Sequence, residues 1–451
     1  MKILFAYYDS NVDHIFRSNP KDFAIIRKRK SLYNESIFKG LNIYDFPSFK
    51  VERNNNYLLE NYEKFIHEIT WDSVTQMLYE RDFLNLKIES LTLRSIKITN
   101  YICACISLLE KIKPKCICLY NMPHQFHSWV FSSVAEYMGV EIYFLEQSHI
   151  PWRYYLIKGI VKPGKLTEID AEEKKDLSKE ELESIEVLFN LRRSNSNLST
   201  PAEARVSRKK YSRSIIFELI NWWKRPDILI NKYLCIRKYK QLETRETPSS
   251  RDVVFFLHYQ PELTTLPRGY KYGQQYSAIN LISRSLPKGS TLFVREHIGT
   301  FKDFCSWKER NINFYNQINS LPNVKILSLE RPAYEIIDKC GTVASISGTV
   351  ATEAMYRQKK VVIFSPLGPC KIIKKKNFHL YENIKNLRNF LETENNDPLT
   401  LSDIYLNLEK FTVSGFEADN KDENDLNRTS NEWRDLARKK WVNYLVKKFD
   451  N

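Results

Sequence analysis

The sequence predicts an α/β protein with two domains, a charged helical insertion between them and a helix at the C-terminal end. Three observations predict this class. Short apolar runs typical of buried strands alternate with helical patterns in residues 1–160 and again in 252–400. Between these ranges charge rises and glycine is nearly absent. The length of 451 residues exceeds what one ordinary core holds.

The first domain is predicted for residues 1–160. Its clearest unit is a strand, a helix and a strand, with Gly139 as the C-cap of the helix. The predicted strands are 2–7, 115–120 and 140–145, and the predicted helices are 57–69, 94–112 and 128–138. The first residues lack the long apolar segment of a signal peptide, so none is expected.

A charged helical insertion, residues 161–250, follows the first domain. Within it, 178–192 is predicted to be a helix. The stretch 207–240 carries many lysines and arginines around apolar residues that include Trp222 and Trp223. Such a basic amphipathic helix suits an anionic membrane surface, whereas a helical hairpin packed on the domains leaves the basic face in water. We favour the packed hairpin, and the membrane contact stays an open alternative.

The second domain is predicted for residues 251–415, and an acidic loop with a C-terminal helix for 416–451. Repeated strand–helix units imply a mostly parallel sheet. The predicted strands are 253–257, 291–294, 324–327, 343–346 and 361–364, and the helices between them include 275–285, 309–319 and 332–339. Aromatic and leucine residues at helical spacing from Trp433 to Phe449 predict that the last helix packs on a domain.

Charge and cysteine spacing limit the function classes. A formal net charge of +15 implies anionic partners, such as nucleotide phosphates or an acidic membrane surface. The positive charge is spread and no recognition motif occurs, so nucleic acid is not an expected partner. No run of about 18 apolar residues occurs, so no membrane-spanning helix is expected. The eight cysteines lack zinc-ligand spacing, which favours reduced core cysteines in a cytoplasmic protein, with no metal and no cofactor.

The stretch Ser347-Gly348-Thr349 is the most informative part of the chain. An apolar run ends there and a short helix follows, so unpaired N–H groups and the positive end of the helix dipole lie at the turn. Gly348 permits a tight turn, and its small neighbours permit a phosphate to approach. Glu353 lies one helical turn after Thr349 on the same side, where a carboxylate can accept hydrogen bonds from ribose hydroxyls. An ordinary capped strand–helix turn would show the same residues.

Polar and ionisable residues follow several predicted strands. Ligands of open α/β sheets bind outside the carboxyl ends of the strands, so these residues predict a site in a cleft between two sheets. They are His124, His127, Glu146, His149, His258, Gln260, Arg295, His297, Ser347 and Thr349, with Arg153 closely following His149. Five of the eight histidines belong to this set, which favours a functional over a structural interpretation.

Three motifs of the second domain resemble, in order, those of bacterial capsule and surface-polysaccharide biosynthesis glycosyltransferases, a broad group that includes the capsule Kdo transferases. They are His258-Tyr259-Gln260-Pro261-Glu262, Val294-Arg295-Glu296-His297, and Ser347-Gly348-Thr349 through Glu353-Ala354. The resemblance covers residues 250–366 and extends in the first domain only to Leu145-Glu146-Gln147. It implies a GT-B fold, in which two Rossmann-like domains face a cleft that holds a nucleotide-sugar donor.

Three positions depart from the family pattern. Ile298 stands where the family has proline, Gln147 where it has aspartate, and Ala351 where glycine is usual. The change at Gln147 removes the carboxylate to which the family's catalytic role would transfer. Glu146 therefore becomes the candidate for that role.

Glycosyl transfer needs a carboxylate near the anomeric carbon and stabilisation of the departing phosphate. We predict Glu146 as base or nucleophile, with His149 beside it, and His258 as the group that protonates or hydrogen-bonds the phosphate. The predicted donor-binding residues are Gln260, Glu262, Arg295, His297, Ser347, Gly348, Thr349 and Glu353, and the acceptor-side residues are His124, His127 and Arg153. No Asp-x-Asp motif occurs, so a metal-bridged diphosphate is not expected.

The predicted function is metal-independent transfer of a sugar from a nucleotide donor to a glycan or glycolipid acceptor. A CMP-activated, Kdo-like acid sugar and a capsule or lipopolysaccharide acceptor are the candidates that the resemblance implies. The alternatives are a catalytically silent, membrane-associated assembly protein, a nucleotide-sugar epimerase and a glycerophosphate transferase, because a fold does not determine one function. The expected location is the cytoplasm, with the inner face of the bacterial membrane as an alternative.

Overall fold

The chain folds into two compact units. The computed structural model describes residues 3–6, 23–27, 42–47, 62–84, 89–119, 121–160, 165–166, 177–194, 200, 203, 226–260, 262–301, 310–365, 375–394, 397–414 and most of 436–448. Unit 1 consists of Met1–Leu182 together with Tyr405–Asn451, and unit 2 is the continuous segment Glu183–Ile404.

Strands and helices alternate through the described residues. The strands are β1 Ile3–Ala6, β2 Phe23–Arg27, β3 Asn42–Asp45, β4 Cys116–Leu119, β5 Glu141–Gln147, β6 Arg153–Lys158, β7 Lys165–Leu166, β8 Glu243–Thr244, β9 Val253–Phe256, β10 Leu292–Arg295, β11 Val324–Leu327, β12 Thr342–Ser345, β13 Lys360–Ile363, β14 Phe378–Leu380 and β15 Thr412–Ser414. The α-helices are α1 Glu63–Trp71, α2 Ser73–Tyr79, α3 Leu91–Ile112, α4 Phe126–Tyr137, α5 Lys179–Ser194, α6 Pro226–Leu242, α7 Tyr276–Ser285, α8 Ile312–Asn319, α9 Ala333–Lys339, α10 Thr349–Tyr356, α11 Ile384–Glu392 and α12 Leu401–Phe411.

The sheet of unit 1 is mixed. Strands β1 to β5 are parallel and lie in the order β3-β2-β1-β4-β5. Strand β6 then pairs antiparallel with β5, and both β7 and β15 pair antiparallel with β6. Strand β15 therefore brings the chain back to unit 1 near its end, where it forms the edge of this sheet.

The long helix α3 shows why the helices of unit 1 form where they do. It begins at Ser90, whose side chain accepts the N–H of Leu93 at 3.2 Å and so caps the helix. Its buried residues recur at helical spacing and face the core. They are Ile98, Tyr101, Ile102, Cys105, Ile106, Leu109 and Ile112.

The C-terminal helix packs on unit 1, as the sequence predicts. The described residues between 436 and 448 are helical, and Trp441, Tyr444 and Leu445 among them are buried. Lys440 donates a hydrogen bond of 2.7 Å to the carbonyl of Ser414 in β15. The helix and the last strand thus hold each other in place.

The sheet of unit 2 is parallel throughout its described pairs. Its order is β14-β13-β12-β9-β10-β11-β8. From β9 the chain moves to one side through β10 and β11, and it then crosses to the other side of β9 with β12 and β13. The carboxyl ends of β9 and β12 are therefore a topological switch point, where open α/β sheets bind their ligands.

The predicted α/β class, with two sheets rich in parallel strands, is confirmed.

The basic stretch 207–240 is described only from residue 226 onward, where α6 packs one face on unit 2; residues 207–225 lie outside the described residues. No described helix is long and apolar enough to cross a membrane. The described cysteines are free thiols, and all except Cys103 are buried.

Candidate functional site

The switch point of unit 2 brings two predicted site residues into contact. His258 follows β9 and Ser347 follows β12, which lie side by side in the sheet. The imidazole Nε2 of His258 accepts the backbone N–H of Ser347 at 3.2 Å and lies 2.9 Å from the hydroxyl of Ser345. The histidine therefore joins the ends of two strands that are distant in sequence.

The other ring nitrogen of His258 determines its tautomer. Since Nε2 accepts a backbone N–H, the proton lies on Nδ1, which is 3.1 Å from the Thr264 hydroxyl and donates to it. Thr264 in turn donates a hydrogen bond of 2.9 Å to the carboxylate of Glu262. Burial, with the nearby cations adding to it, lowers the pKa of His258 to about 3. At neutral pH the ring is therefore a neutral acceptor, which argues against the predicted proton donation.

The turn after β12 is held tightly against His258. The Ser347 hydroxyl donates a hydrogen bond of 2.7 Å to the Thr264 carbonyl. A Cβ atom on Gly348 would lie 3.0 Å from both the His258 Cε1 and the Ser345 hydroxyl, so only glycine fits without displacing a neighbour. Gly348 is the N-cap of α10, whose first residue, Thr349, is exposed. The first N–H groups of α10 thus lie beside an accessible turn.

A buried ion pair lies beneath the site. The Arg310 Nε donates a hydrogen bond of 2.9 Å to Glu296, and the two side chains are 1% and 0% exposed. The same carboxylate accepts the hydroxyl of Tyr315 at 2.8 Å and the hydroxyl of Thr300 at 3.2 Å. The backbone N–H of His297 donates to it at 2.8 Å. The buried carboxylate of Glu296 therefore accepts hydrogen bonds from several donors, which offset the cost of its burial.

Arg310 also fixes the loop that carries His258. Its guanidinium donates to the His258 carbonyl at 3.0 Å and to the side-chain oxygen of Gln260. Gln275 holds the same loop through two hydrogen bonds. Its side chain accepts the His258 N–H at 2.7 Å and donates to the side chain of Gln260 at 2.7 Å. Gln275 has a φ of 62°, a conformation that costs a non-glycine residue about 1–3 kcal/mol. Arg310 and Gln275 belong to no local motif, so the sequence does not predict them as site residues.

His297 lies next to this loop. Its Nδ1 accepts the N–H of Gly299 at 3.1 Å, and its ring meets the edge of Tyr259 at 5.8 Å between centroids. Burial lowers the pKa of His297, and the carboxylates of Glu262 and Glu296 oppose that shift. His297 is half-buried, so it borders the accessible part of the edge.

Two residues predicted to hold the donor are occupied by internal partners. Arg295 is 3% exposed, and its guanidinium contacts the carboxylate of Glu203 at 3.2 Å. Glu353 is 1% exposed and accepts the hydroxyl of Tyr334, while Arg192 of α5 lies 3.4 Å from it. The charged insertion therefore supplies one charged partner to each of these residues.

The predicted residues of unit 1 lie at the carboxyl ends of β4 and β5. Glu146 is the penultimate residue of β5 and is 5% exposed; His149, in the turn that follows, is 6% exposed. Arg153 forms a bidentate ion pair with Glu181, at 3.1 and 2.8 Å, in which both side chains are buried. This pair ties β6 to α5, so the Arg153 guanidinium is already engaged.

His124 and His127 occupy the loop and first turn between β4 and α4. The carbonyl of His124 accepts a hydrogen bond from Arg81, and the ring of His127 packs against Tyr101 at 5.0 Å and Phe83 at 5.2 Å. Both histidines are half-buried. They lie beside the switch point of the first sheet, which falls between β1 and β4.

Comparisons with known proteins give structural similarities only. No family model and no curated protein matches the sequence. A UDP-GlcNAc 2-epimerase from Neisseria meningitidis, bound to UDP-GlcNAc, is 10% identical with a TM-score of 0.24, covering 99% of this chain and 100% of that one. A β-Kdo 2,7-transferase, KpsC of Thermosulfurimonas dismutans, is 10% identical with a TM-score of 0.24, covering 75% and 96%. Anabaena HepE with UDP and glucose is 14% identical with a TM-score of 0.23, covering 87% and 89%. TM-scores of this size establish no common fold, so the architecture rests on the strand orders above.

The state of His258 predicts how stability depends on pH. The unfolded chain takes up a proton at this residue below its ordinary pKa of 6.5, whereas the folded protein does so only near 3. Stability from the neutral ring is thus fully present above pH 6.5 and decreases as the pH falls toward 3. The slope approaches about 1.4 kcal/mol per pH unit. We expect His258→Gln to reduce the loss of unfolding free energy between pH 6.5 and 5, measured by calorimetry.

The control is Ser320→Ala, an exposed change in unit 2 that removes no titratable group. It should leave the pH dependence as in the wild type. His297, whose pKa burial also lowers, should give the His258→Gln protein a residual slope of the same sign. An unchanged slope in His258→Gln would show that His258 is not the buried neutral group.

The buried ion pair predicts a strongly non-additive response to mutation. Glu296→Gln leaves the Arg310 charge buried without its counterion and should cost about 3–5 kcal/mol of unfolding free energy. The double variant Glu296→Gln with Arg310→Met should be less destabilised than the sum of the single variants. Denaturant titration of all four proteins measures this coupling. Glu330→Gln, in the exposed pair with Arg245, is the control and should cost at most about 1 kcal/mol. Additive costs would contradict the interpretation.

Proposed function

We propose that the protein is a metal-independent glycosyltransferase with a GT-B-like arrangement that binds the phosphates of a nucleotide-sugar donor at the switch point of unit 2. The observation that supports this most directly is the contact of His258 with the turn at Ser347. It fixes the start of α10 at the edge where parallel sheets bind ligands.

The turn offers the groups that a diphosphate needs. The first N–H groups of α10 point out of the helix and carry the positive end of its dipole. The absence of a Cβ atom at Gly348 lets His258 and Ser345 pack against the turn. The exposed Thr349 hydroxyl is available to a phosphate beside it. In this proposal His258 touches the donor only through the turn that it positions.

Cationic groups near the turn complement the donor charge. Arg268 and His297 are both close enough to His258 to lower its pKa, so they lie in the electrostatic environment of the turn. We assign phosphate neutralisation to Arg268. His297 is assigned a hydrogen bond to the phosphate, because burial lowers the pKa of its ring and favours the neutral form. Arg295, which the sequence motif suggests, would take part only after separating from Glu203.

The ribose contact is proposed for a carboxylate on the same edge. Glu353 can supply it only if Tyr334 and Arg192 release the group that they now hold. Glu262 is the alternative, because it is half-buried and linked to His258 through Thr264. Gln260 is proposed to position this loop.

Acceptor activation is proposed for Glu146 of unit 1, with His149, His124 and His127 near the same sheet edge. The carboxylate would take a proton from the acceptor hydroxyl or attack the anomeric carbon. The finer assignment, a CMP-activated Kdo-like sugar and a capsule or lipopolysaccharide acceptor, is supported by the sequence resemblance alone.

A catalytically silent polysaccharide-assembly protein is the second candidate. The observation that favours it is the internal pairing of Arg295, Glu353 and Arg153, three of the predicted site residues. Such a protein could bind a nucleotide without transferring a sugar. Turnover, rather than binding, separates the two candidates.

The donor site predicts a specific sensitivity at Gly348. Gly348→Ala forces the turn away from His258, because the new methyl group meets two neighbours at 3.0 Å. Losing one charge-assisted hydrogen bond should lower nucleotide affinity about tenfold or more. Thermal-shift titration with UDP, CMP, GDP and CDP measures this and identifies the base. Ser320→Ala, an exposed change in the same unit, should bind as the wild type does. Unchanged affinity in folded Gly348→Ala would exclude this turn.

The catalytic proposal predicts that Glu146→Gln uncouples binding from turnover. A general base contributes about 10²–10⁴-fold, so transfer or donor hydrolysis should fall at least about a hundredfold while nucleotide affinity stays the same. Glu141→Gln, at the first residue of the same strand, is the control and should keep activity. Near-normal turnover in Glu146→Gln would transfer the role to Glu262. A wild-type protein that binds a nucleotide but never transfers a sugar would favour the silent candidate.

A further inference from the structure

Helix α6 has one face in the core of unit 2. Ile228, Cys235 and Tyr239 are buried there, and the side chain of Asn231 donates a hydrogen bond of 2.6 Å to the Arg310 carbonyl. These contacts fix the rotation of the helix about its axis. The side chains on its opposite face are therefore held outward.

The outward face carries exposed apolar residues in its first half and exposed basic residues in its second half. Ile230 is 59% exposed, Tyr233 43% and Leu234 42%. Arg237 and Lys240 are also exposed and follow at helical spacing on the same side. We call these five residues the α6 strip.

The cations of the α6 strip are not neutralised within the described structure. Neither Arg237 nor Lys240 forms an ion pair with a described residue. Helix α6 contains four basic residues and one acidic residue, Asp227, which lies in its first turn. The strip therefore combines exposed apolar surface with uncompensated positive charge.

We propose that the α6 strip docks unit 2 on an anionic lipid surface. In this arrangement Ile230 and Leu234 enter the boundary between headgroups and acyl chains, and Tyr233 lies at headgroup level. Arg237 and Lys240 then meet the lipid phosphates. The net charge of +15 adds a longer-range attraction to the same surface. This docking is independent of the proposed nucleotide site.

Other exposed apolar residues lack this complementarity. Leu91, Leu93 and Ile96 at the start of α3 are 44–55% exposed. The basic residues beside them are neutralised, since Arg94 lies 3.4 Å from Glu80 and Lys97 pairs with Glu89. Apolar exposure alone does not indicate what covers a surface, so the free cations of the α6 strip decide between the two.

Vesicle sedimentation of the full chain tests the proposal. The protein should bind phosphatidylglycerol–phosphatidylcholine vesicles at low salt, bind phosphatidylcholine alone far more weakly, and dissociate as salt rises. Ile230→Ser with Leu234→Ser should lower the affinity at least about tenfold. Arg237→Gln with Lys240→Gln should lower it about 25-fold, which is about fivefold for each charge.

Two controls distinguish binding through the α6 strip from binding through net charge and through non-specific apolar contacts. Arg245→Gln with Lys325→Gln removes the same two charges at exposed sites elsewhere in unit 2, and Leu406→Ser removes an apolar side chain that is 64% exposed. Both should bind vesicles nearly as the wild type does. The proposal is overturned if the wild type does not bind anionic vesicles, or if the charge control loses as much affinity as the strip variants. It is also overturned if the strip variants change only self-association, measured by light scattering, because a second copy would then cover the strip.

Discussion

The arrangement of the site in unit 2 depends on the buried ion pair of Glu296 and Arg310. Taking both charges out of water costs several kcal/mol per ion, which only good geometry and further hydrogen bonds offset. The pair meets this condition because Arg310 directs its remaining donors to the loop of His258 and Gln260. Two apolar residues could fill the same space, but they would leave the His258 carbonyl without that donor. We infer that the pair specifies one loop conformation more than it adds stability.

Strand order then determines which residues this loop meets. Ser347 follows His258 by 89 residues, yet their strands are neighbours because the chain reverses direction across β9. Had the sheet continued outward from β11, the turn at Ser347 would lie at the far edge. The neutral imidazole accepts a backbone N–H that only this reversal brings within reach.

Sequence patterns predicted the strands around the site because each strand end is a local event, an apolar run that stops at polar residues. They did not predict β15, because its three residues are too few for alternation to indicate a strand and its partner lies in the first half of the chain. Sequence patterns also did not predict Arg310 and Gln275 as site residues. An isolated arginine or glutamine near a helix start is usually exposed, and only tertiary contacts bury these two. Motifs suggested Arg295 as a free cation. Its partner Glu203 lies in the charged insertion, where no pattern links the two.

The pairing of β15 with β6 has a consequence for synthesis on the ribosome. Unit 2 is one uninterrupted segment, whereas unit 1 is assembled from both ends of the chain. Domains fold as units while the chain emerges, so unit 2 can complete its sheet before unit 1 has received its last strand. Until then, residues 153–155 of β6 present an unpaired edge, which is a template for wrong pairing with another chain. The short antiparallel strand that ends the sheet thus acts late, as the closing step of maturation.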